Sequence, residues 1–430
     1  MTVSDQPTTP QTPHPTRVPL SILDLAVVSE GSTGAQALRD TLDTAVRADE
    51  LGYRRIWFAE HHLSPGVASA SPAVLAALVA ERTARIRVGS GAVLLSTTSP
   101  LLAAEQFGTI AALHPGRVDL GLGRAFTPPP AKSEASTGAE APSSGTQATA
   151  AGEPEPAPAP AQPAGTRVVD GLLIPAAPGV AFTDTALRQR LLAQKEVVGA
   201  SRTPAEFRDE LELVLGLRAG TFTNSAGTAY TSPPVEGAAF DLFVLASSGG
   251  VSARVAGELG LPLAANYHVG PSATLDTIAA YRAAFRPGVL DRPYVVVSAD
   301  VLVADTDAEA RRIADPFTAW VLSIRRGADG AIAYPAPGTT PAWDDLSDAD
   351  RAAVQDRVDT RFVGSSETVV ERLETLARVT VADEIVVTTV AHDPADRARS
   401  FELLAARWGL PAADAAGPEV AADREPALAR

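Results

Sequence analysis

Short runs rich in Val, Ile and Leu alternate along the chain with longer stretches whose apolar positions recur every three or four residues. That is the signature of strands alternating with amphipathic helices, and so of a parallel β/α architecture. Strands are expected at 21–28, 55–59, 86–95, 117–122, 240–246, 263–267, 294–303 and 384–390. Helices are expected at 35–51, 72–83, 100–113, 204–217, 251–259, 272–285, 307–325, 365–379 and 394–408. Local chemistry supports several ends. Gly52 suits a helix stop, Pro72 a first helical turn, Thr203 an N-cap, and Ser365, with Glu367 in the first turn, another N-cap. Counting gives eight strands, each followed by a helix. The expected fold is therefore a closed (β/α)8 TIM barrel rather than an open doubly wound sheet. A dinucleotide-binding sheet calls for G-x-G-x-x-G after the first strand, and no such motif stands there.

The alternation breaks after the fourth strand. Residues 127–165 are Pro, Ala, Ser, Thr and Glu with almost no large apolar side chain. Such a segment cannot bury enough surface to offset its ordering entropy, so it reads as a disordered insertion. Residues 168–182 turn apolar again and suit a small ordered flap, and 327–345 reads as a second, loop-rich insertion. Residues 1–19, which lack an apolar core of the kind a signal peptide needs, read as a disordered tail, and 411–430 as a flexible one. The barrel then occupies 20–410.

Composition narrows the functional classes. The 430 residues carry a net charge of −15, which argues against a general nucleic-acid binder. Cysteine is absent, which removes disulfides, thiolate catalysis and cysteine-ligated metals. No apolar run reaches the ~18 uncharged residues of a membrane span, and a cytoplasmic location is the default expectation.

In such a barrel the residues just past the strand carboxyl ends line the ligand face. Strand two ends in Glu60-His61-His62, which places two of the six histidines side by side. Strand three leads through Gly91-Ala92 to Thr97-Thr98, strand four ends in Gly123-Arg124, and strand six in Asn266-Tyr267-His268. Strand five ends in Ser247-Ser248-Gly249-Gly250, followed by Ser252. Small hydroxylic residues opening a helix suit a phosphate, with Arg124 as a fixed cation, although Ser-Ser-Gly-Gly is also a common loop and Arg124 alone an ordinary surface residue. His268 reads equally as a pocket residue or a satisfied core histidine. No metal is expected, because the consecutive side chains Glu60, His61 and His62 diverge at a strand end.

Several of these segments are similar to one family. Trp57-Phe58-Ala59-Glu60-His61-His62 with Pro65-Gly66-Val67-Ala68-Ser69, Leu101 through Thr109, Leu113 through Arg124, Phe362-Val363-Gly364 and Asp383 through Thr389 together resemble the bacterial luciferase-like flavin-dependent monooxygenases. The resemblance spans about Leu20 to Trp408. It implies a (β/α)8 barrel that binds reduced FMN, supplied by a separate reductase, and reacts it with O2 through a flavin hydroperoxide to oxygenate a small organic substrate. By position it implies His61 as the catalytic histidine and a non-proline cis peptide at Gly91-Ala92 beneath the isoalloxazine ring. It places the flavin phosphate on Arg124, Ser247, Ser248, Gly249 and Ser252. His62, Thr98, Tyr267 and His268 are then expected in the substrate pocket. Related barrels use a deazaflavin for hydride transfer, and a barrel that binds flavin without turnover is a third reading. Where many relatives carry Asn-His, this chain has Thr97-Thr98, which points to a different substrate or weaker activity. The resemblance also implies a homodimer through helices two and three, which the Ala-rich stretch 74–80 permits.

Overall fold

The computed structural model describes residues 17–124, 165–178, 189–190, 196–198, 207–327 and 330–411. The two expected tails, apart from their inner ends, and the insertion at 127–165, apart from its last residue, lie outside these. So do Thr203, the first residues of its expected helix, and the far end of the expected flap.

Eight parallel strands close on themselves. They are β1 (Leu20–Asp24), β2 (Arg55–Phe58), β3 (Arg87–Ser90) continued by β4 (Val93–Leu94), β5 (Val118–Gly123), β8 (Phe240–Ala246), β9 (Leu263–Asn266), β10 (Val295–Ala304) and β12 (Glu384–Thr388). Closure comes from β10, which pairs with β9 on one side (Val295 beside Leu263) and with β12 on the other (Val296 beside Glu384). An antiparallel hairpin, β6 (Arg167–Val169) and β7 (Leu172–Ile174), lies between β5 and β8 in the chain. Helices α1 (Gly34–Leu51), α2 (Pro72–Arg82), α3 (Pro100–Leu113), α4 (Phe207–Arg218), α5 (Val251–Glu258), α6 (Thr274–Ala284), α10 (Ser366–Thr380) and α11 (Pro394–Trp408) are the main outer-layer helices. No helix among the described residues is long and apolar enough to cross a membrane.

Successive residues of a strand face opposite ways, so each strand has an outer set buried under the helices and an inner set inside the barrel. The outer set (Leu20, Ile22, Ile56, Phe58, Val88, Val118, Leu120, Leu242, Val244, Val297, Ile385 and Val387) forms one core with the helices. The inner set stacks in layers. Its floor is ionic. Arg55 donates to Glu384 at 2.7 Å and to Asp119 at 2.7 Å, Arg87 joins Asp119 to Asp241, and Tyr294 donates to Glu384 at 2.8 Å. Above it Leu23, Trp57, Phe243, Ala264, Val296 and Val386 form an apolar plug. The barrel is thus a filled core with functional room only at its carboxyl mouth.

The expected boundaries hold closely at α1, α3, β8 and α11, and Gly52 caps α1 in the left-handed conformation at φ 84°. Ser365 caps α10 by accepting from the amide of Thr368. Four departures have physical causes. The strand expected at 86–95 is broken at Gly91-Ala92, whose peptide bond is cis. The helix expected at 307–325 is two helices, α7 (Asp307–Ala314) and α8 (Phe317–Arg326), separated at Pro316, which has no N–H to continue the ladder. Beyond the expected loop, a helix α9 (Asp348–Thr360) and a strand β11 (Phe362–Ser365), paired to the outer half of β10, form without having been anticipated. The buried face of α9 carries Asp356, Arg357 and Thr360 beside Ala353 and Val354, so no apolar stripe announces it.

Parts of the 327–345 segment are a strap rather than a free loop. Tyr334 pairs through its backbone with Val28 and Glu30, and Gly66 donates to Ala331 at 2.7 Å. A side chain at Gly66 would place its Cβ 1.8 Å from the Ile332 carbonyl oxygen, so only glycine permits this crossing. The strap therefore ties together the loops that follow β1 and β2.

Candidate active site at the barrel mouth

The loop after β2 is fixed by its own backbone. The amide of His61 donates to Ser69 O at 2.9 Å, Ser69 Oγ donates to Ala59 O at 2.5 Å, and Ala59 N donates to Asp24 O at 3.1 Å. Strand alternation carries Trp57, Ala59 and then His61 to the barrel interior, so the imidazole of His61 stands in the mouth. Water reaches the ring, yet protein surrounds it, and this burial lowers its pKa to about 4. The His62 charge adds to the effect and Glu60 opposes it. His61 is neutral at pH 7.

Glu60 and His62, two residues apart, face the same way. His62 Nε2 lies 2.8 Å from Glu60 Oε1. This corrects the expectation that the three side chains diverge altogether, because only His61 departs. Glu60 also accepts from Leu94 N at 2.9 Å and from Thr97 Oγ1 at 2.6 Å. It thereby pins the turn that follows the cis Gly91-Ala92 bond and leads to Thr98, which is half-buried.

The β5 part of the wall is lined by small residues and by Leu245 of β8, whose side chain lies against Gly121. Gly121 and Gly123 are the interior residues of β5 at this level and project no side chain. Ser247 and Ser248 are exposed beyond β8, with Gly249 and Ser252 half-buried. The helix α5 that follows starts at Gly250 with no side-chain oxygen capping it, which leaves its first amides open to an anion. Gly249 packs so closely on α6 that a Cβ there would lie 3.1 Å from Asp276 O. Arg124 is exposed at the end of β5 and makes no ion pair among the described residues.

The remaining wall comes from β9, β10 and β12. Asn266 and His268, Ser298 and Asp300, and Thr388 are their interior residues, with Asp300 beside Thr388 in register. His268 Nδ1 lies 2.6 Å from Ser298 Oγ. Burial lowers the His268 pKa to about 3, and the charges of Arg357 and His61 add to the shift, so these three groups share one neighbourhood. Thr388 Oγ1 is buried without a hydrogen-bond partner among the described residues.

Tyr267 is corrected. Because His268 faces the mouth, its neighbour must face the helices. The ring is buried in the outer core, and its hydroxyl donates to Leu173 O of the hairpin at 2.7 Å. Tyr267 anchors the hairpin and does not line the pocket. Ser298, Asp300, Arg357 and Thr388 were not anticipated. The interior alternation of β10 and β12 was a usable signal for Ser298, Asp300 and Thr388, but Arg357 had none.

This arrangement can be set beside known proteins. A model of the luciferase-like monooxygenase family matches residues 18–143 and 191–383. The chain belongs to the luciferase-like monooxygenase family. It is 30% identical to a luciferase-like monooxygenase of Escherichia coli strain K12 over 90% of this chain and 96% of that one. It is 34% identical to the uncharacterized protein YvbT of Bacillus subtilis strain 168, over 90% and 96% respectively. The crystal structure of apo-MsnO8 aligns with a TM-score of 0.66 at 30% identity, covering 92% of this chain and 99% of that one. More distant solved structures share the fold alone. One is the oxygenating constituent of 3,6-diketocamphane monooxygenase from Pseudomonas putida in complex with FMN (TM-score 0.57, 20% identity). Another is a coenzyme F420-dependent tetrahydromethanopterin reductase from Methanopyrus kandleri (TM-score 0.52, 14% identity). The family thus makes this chain an oxidoreductase and leaves its reaction, cofactor and substrate to be argued from the site.

Proposed function

We propose that this protein is an FMN-dependent monooxygenase that uses reduced flavin and O2 to oxygenate a small organic molecule. The carrying observation is the asymmetric mouth, where a neutral imidazole at His61 shares the rim with the two glycines of β5, lined by Leu245 and Ala92, and with an uncapped helix start. The wall at Gly121 and Gly123 suits a flat ring, with Gly91 and Ala92 beneath it. The first amides of α5, with Ser247, Ser248, Ser252 and the backbone of Gly249, suit a phosphate, and Arg124 supplies a cation beside it. The orphaned hydroxyl of Thr388 is a polar atom that a bound ring edge or substrate would satisfy.

Bound reduced flavin supplies the capacity to activate O2, and the protein's work is positioning and proton control. His61, neutral at working pH, accepts or returns a proton at the imidazole nitrogen facing the mouth. Glu60 holds His62 and the turn leading to Thr98, and so fixes the edge on which substrate rests. A separate reductase would deliver the flavin. The exposed Val74 and Leu78 of α2 with Leu101 and Leu102 of α3 offer an apolar face for a second copy.

Stopped-flow absorbance of the protein mixed with photoreduced FMN, and then with oxygenated buffer, tests this reading. Flavin oxidation by a course distinct from that of free FMN is expected, and His61→Ala should slow turnover by about 10²- to 10⁴-fold. Oxidation identical to that of free flavin overturns the proposal. A deazaflavin hydride carrier is the second reading, motivated by the F420-dependent fold neighbour, and titration with reduced deazaflavin without O2 would follow.

A further inference from the structure

The wall formed by β10, α8 and α9 gathers three arginines, two of them buried, around two buried carboxylates among the described residues. Arg325 of α8, Arg357 of α9 and Arg361 just after it gather around two carboxylates. Asp356 engages Arg325 through both oxygens. Asp300 accepts from Arg361 Nε at 2.6 Å. Arg357 is left with a distant share of Asp300, at 3.9 Å, and a hydrogen bond from Nε to His268 O at 3.1 Å. Its side chain is only 6% exposed. Burial accordingly weakens its hold on the proton, and its pKa falls to about 10 despite Asp300.

A second group beside it is also incomplete. The Arg357 guanidinium lies 5.4 Å from the ring centroid of Phe317 and 5.8 Å from that of Trp320. Trp320 is 2% exposed, and its indole N–H meets no acceptor among the described residues. A buried N–H without an acceptor is costly, and a buried cation without a close counter-ion more so. A single carboxylate with two oxygens would satisfy both. The place adjoins the candidate site, because Arg357 donates to the backbone of His268, whose imidazole also feels the charge of His61.

We propose that Arg357 and the indole N–H of Trp320 are the substrate-recognition end of the mouth, and that the substrate is an organic carboxylate whose apolar part extends toward His61. This deepens the oxygenase reading and rests on it for the chemistry at His61. The anion site itself is testable without flavin.

Titration calorimetry of the full chain would use acetate, butanoate, hexanoate and octanoate, each against its primary amide, with inorganic phosphate as a further probe. The expected result is one-to-one binding of at least one of these acids, about tenfold or more tighter than its amide. Arg357→Met should abolish it. Trp320→Phe, which keeps the ring and loses the N–H, should weaken it several-fold with an unchanged unfolding midpoint. Trp320→Phe decides the matter if Arg357→Met fails to fold. Absence of binding by every acid, equal binding of acid and amide, preference for phosphate alone, or a Trp320→Phe variant that binds like wild type would overturn the proposal. Acid binding that persists while reduced FMN shows no interaction would sink the flavin reading and leave this one standing.

Discussion

Thr97 donates its hydroxyl to Oε1 of Glu60 across 2.6 Å, and the same oxygen lies 2.8 Å from His62 Nε2. With Leu94 N on the other oxygen, one carboxylate at the end of β2 organises the turn beyond β4. Glu60→Ala should destabilise the fold by about 2 kcal/mol, since it leaves the amide of Leu94 without an acceptor and removes one partner each from Thr97, which keeps Leu94 O, and from His62. Thr97→Val should cost less, about 1 kcal/mol, because two of the donors remain. Urea denaturation of both variants checks the order, and equal costs would mean that Glu60 does not organise this turn.

The two mouth imidazoles set an acid limit. Burial lowers the pKa of His268 to about 3 and that of His61 to about 4, with the effect of His61 damped by the water that reaches its ring, so His268 carries most of the argument. Unfolded histidine titrates near 6.5, so below that value the unfolded chain binds protons that the folded one refuses. Stability is then full above about pH 6.5 and falls progressively as pH drops toward 4 and below. His268→Asn should flatten that part of the stability–pH curve. Denaturation midpoints between pH 7 and 4 read this directly, and parallel curves for variant and wild type would refute it.

The ionic floor should be intolerant of single deletions. Arg55, Asp119 and Glu384 are wholly buried, and burial opposes the charge on Asp119 while Arg55 and Arg87 hold its carboxyl below the usual range. Arg55→Met removes the cation that Asp119 and Glu384 share and leaves Asp119 to Arg87 and Glu384 to Tyr294 and Ser21, at a cost of about 3 kcal/mol. The loss should appear in urea midpoints, with flavin affinity of the folded fraction unchanged, because the apolar layer of Trp57 and Phe243 separates floor from mouth.

The legible parts of this molecule are those where burial acts on every residue of a run. Strands such as β8 and β10, covered by the plug inside and helices outside, read as largely apolar segments, and the other barrel strands lie in shorter runs rich in Val, Ile and Leu. What was illegible depends on tertiary partners. Helix α9 buries Asp356 and Arg357 against other charges, so its inward face looks like a solvated one in sequence. Tyr267 and His268 cannot both face the mouth from one strand, and which of them does depends on a register the bare sequence leaves open. The Glu60–His62 contact follows from the same alternation. Strand-end positions of the candidate site were legible from the fold rule alone, whereas its far wall, built by Asp300 and Arg357, required knowing which later elements return to the barrel.

A last prediction separates the phosphate from the ring. If the open amides of α5 and the exposed side chain of Arg124 hold the terminal phosphate of FMN, then Arg124 contributes to FMN but not to riboflavin, which has no phosphate. Arg124→Ala removes a charge-assisted contact worth about 1.5–3 kcal/mol, or roughly 10- to 150-fold in affinity. Fluorescence titration should therefore show FMN binding weakened by that factor and riboflavin binding unchanged, so that the two flavins converge in affinity. Ser252→Ala, which removes one hydroxyl at the start of α5 and keeps the backbone amides, should act in the same direction by a smaller amount. Equal loss for FMN and riboflavin would place Arg124 against the ring or in the fold, and the helix start of α5 would then need another ligand.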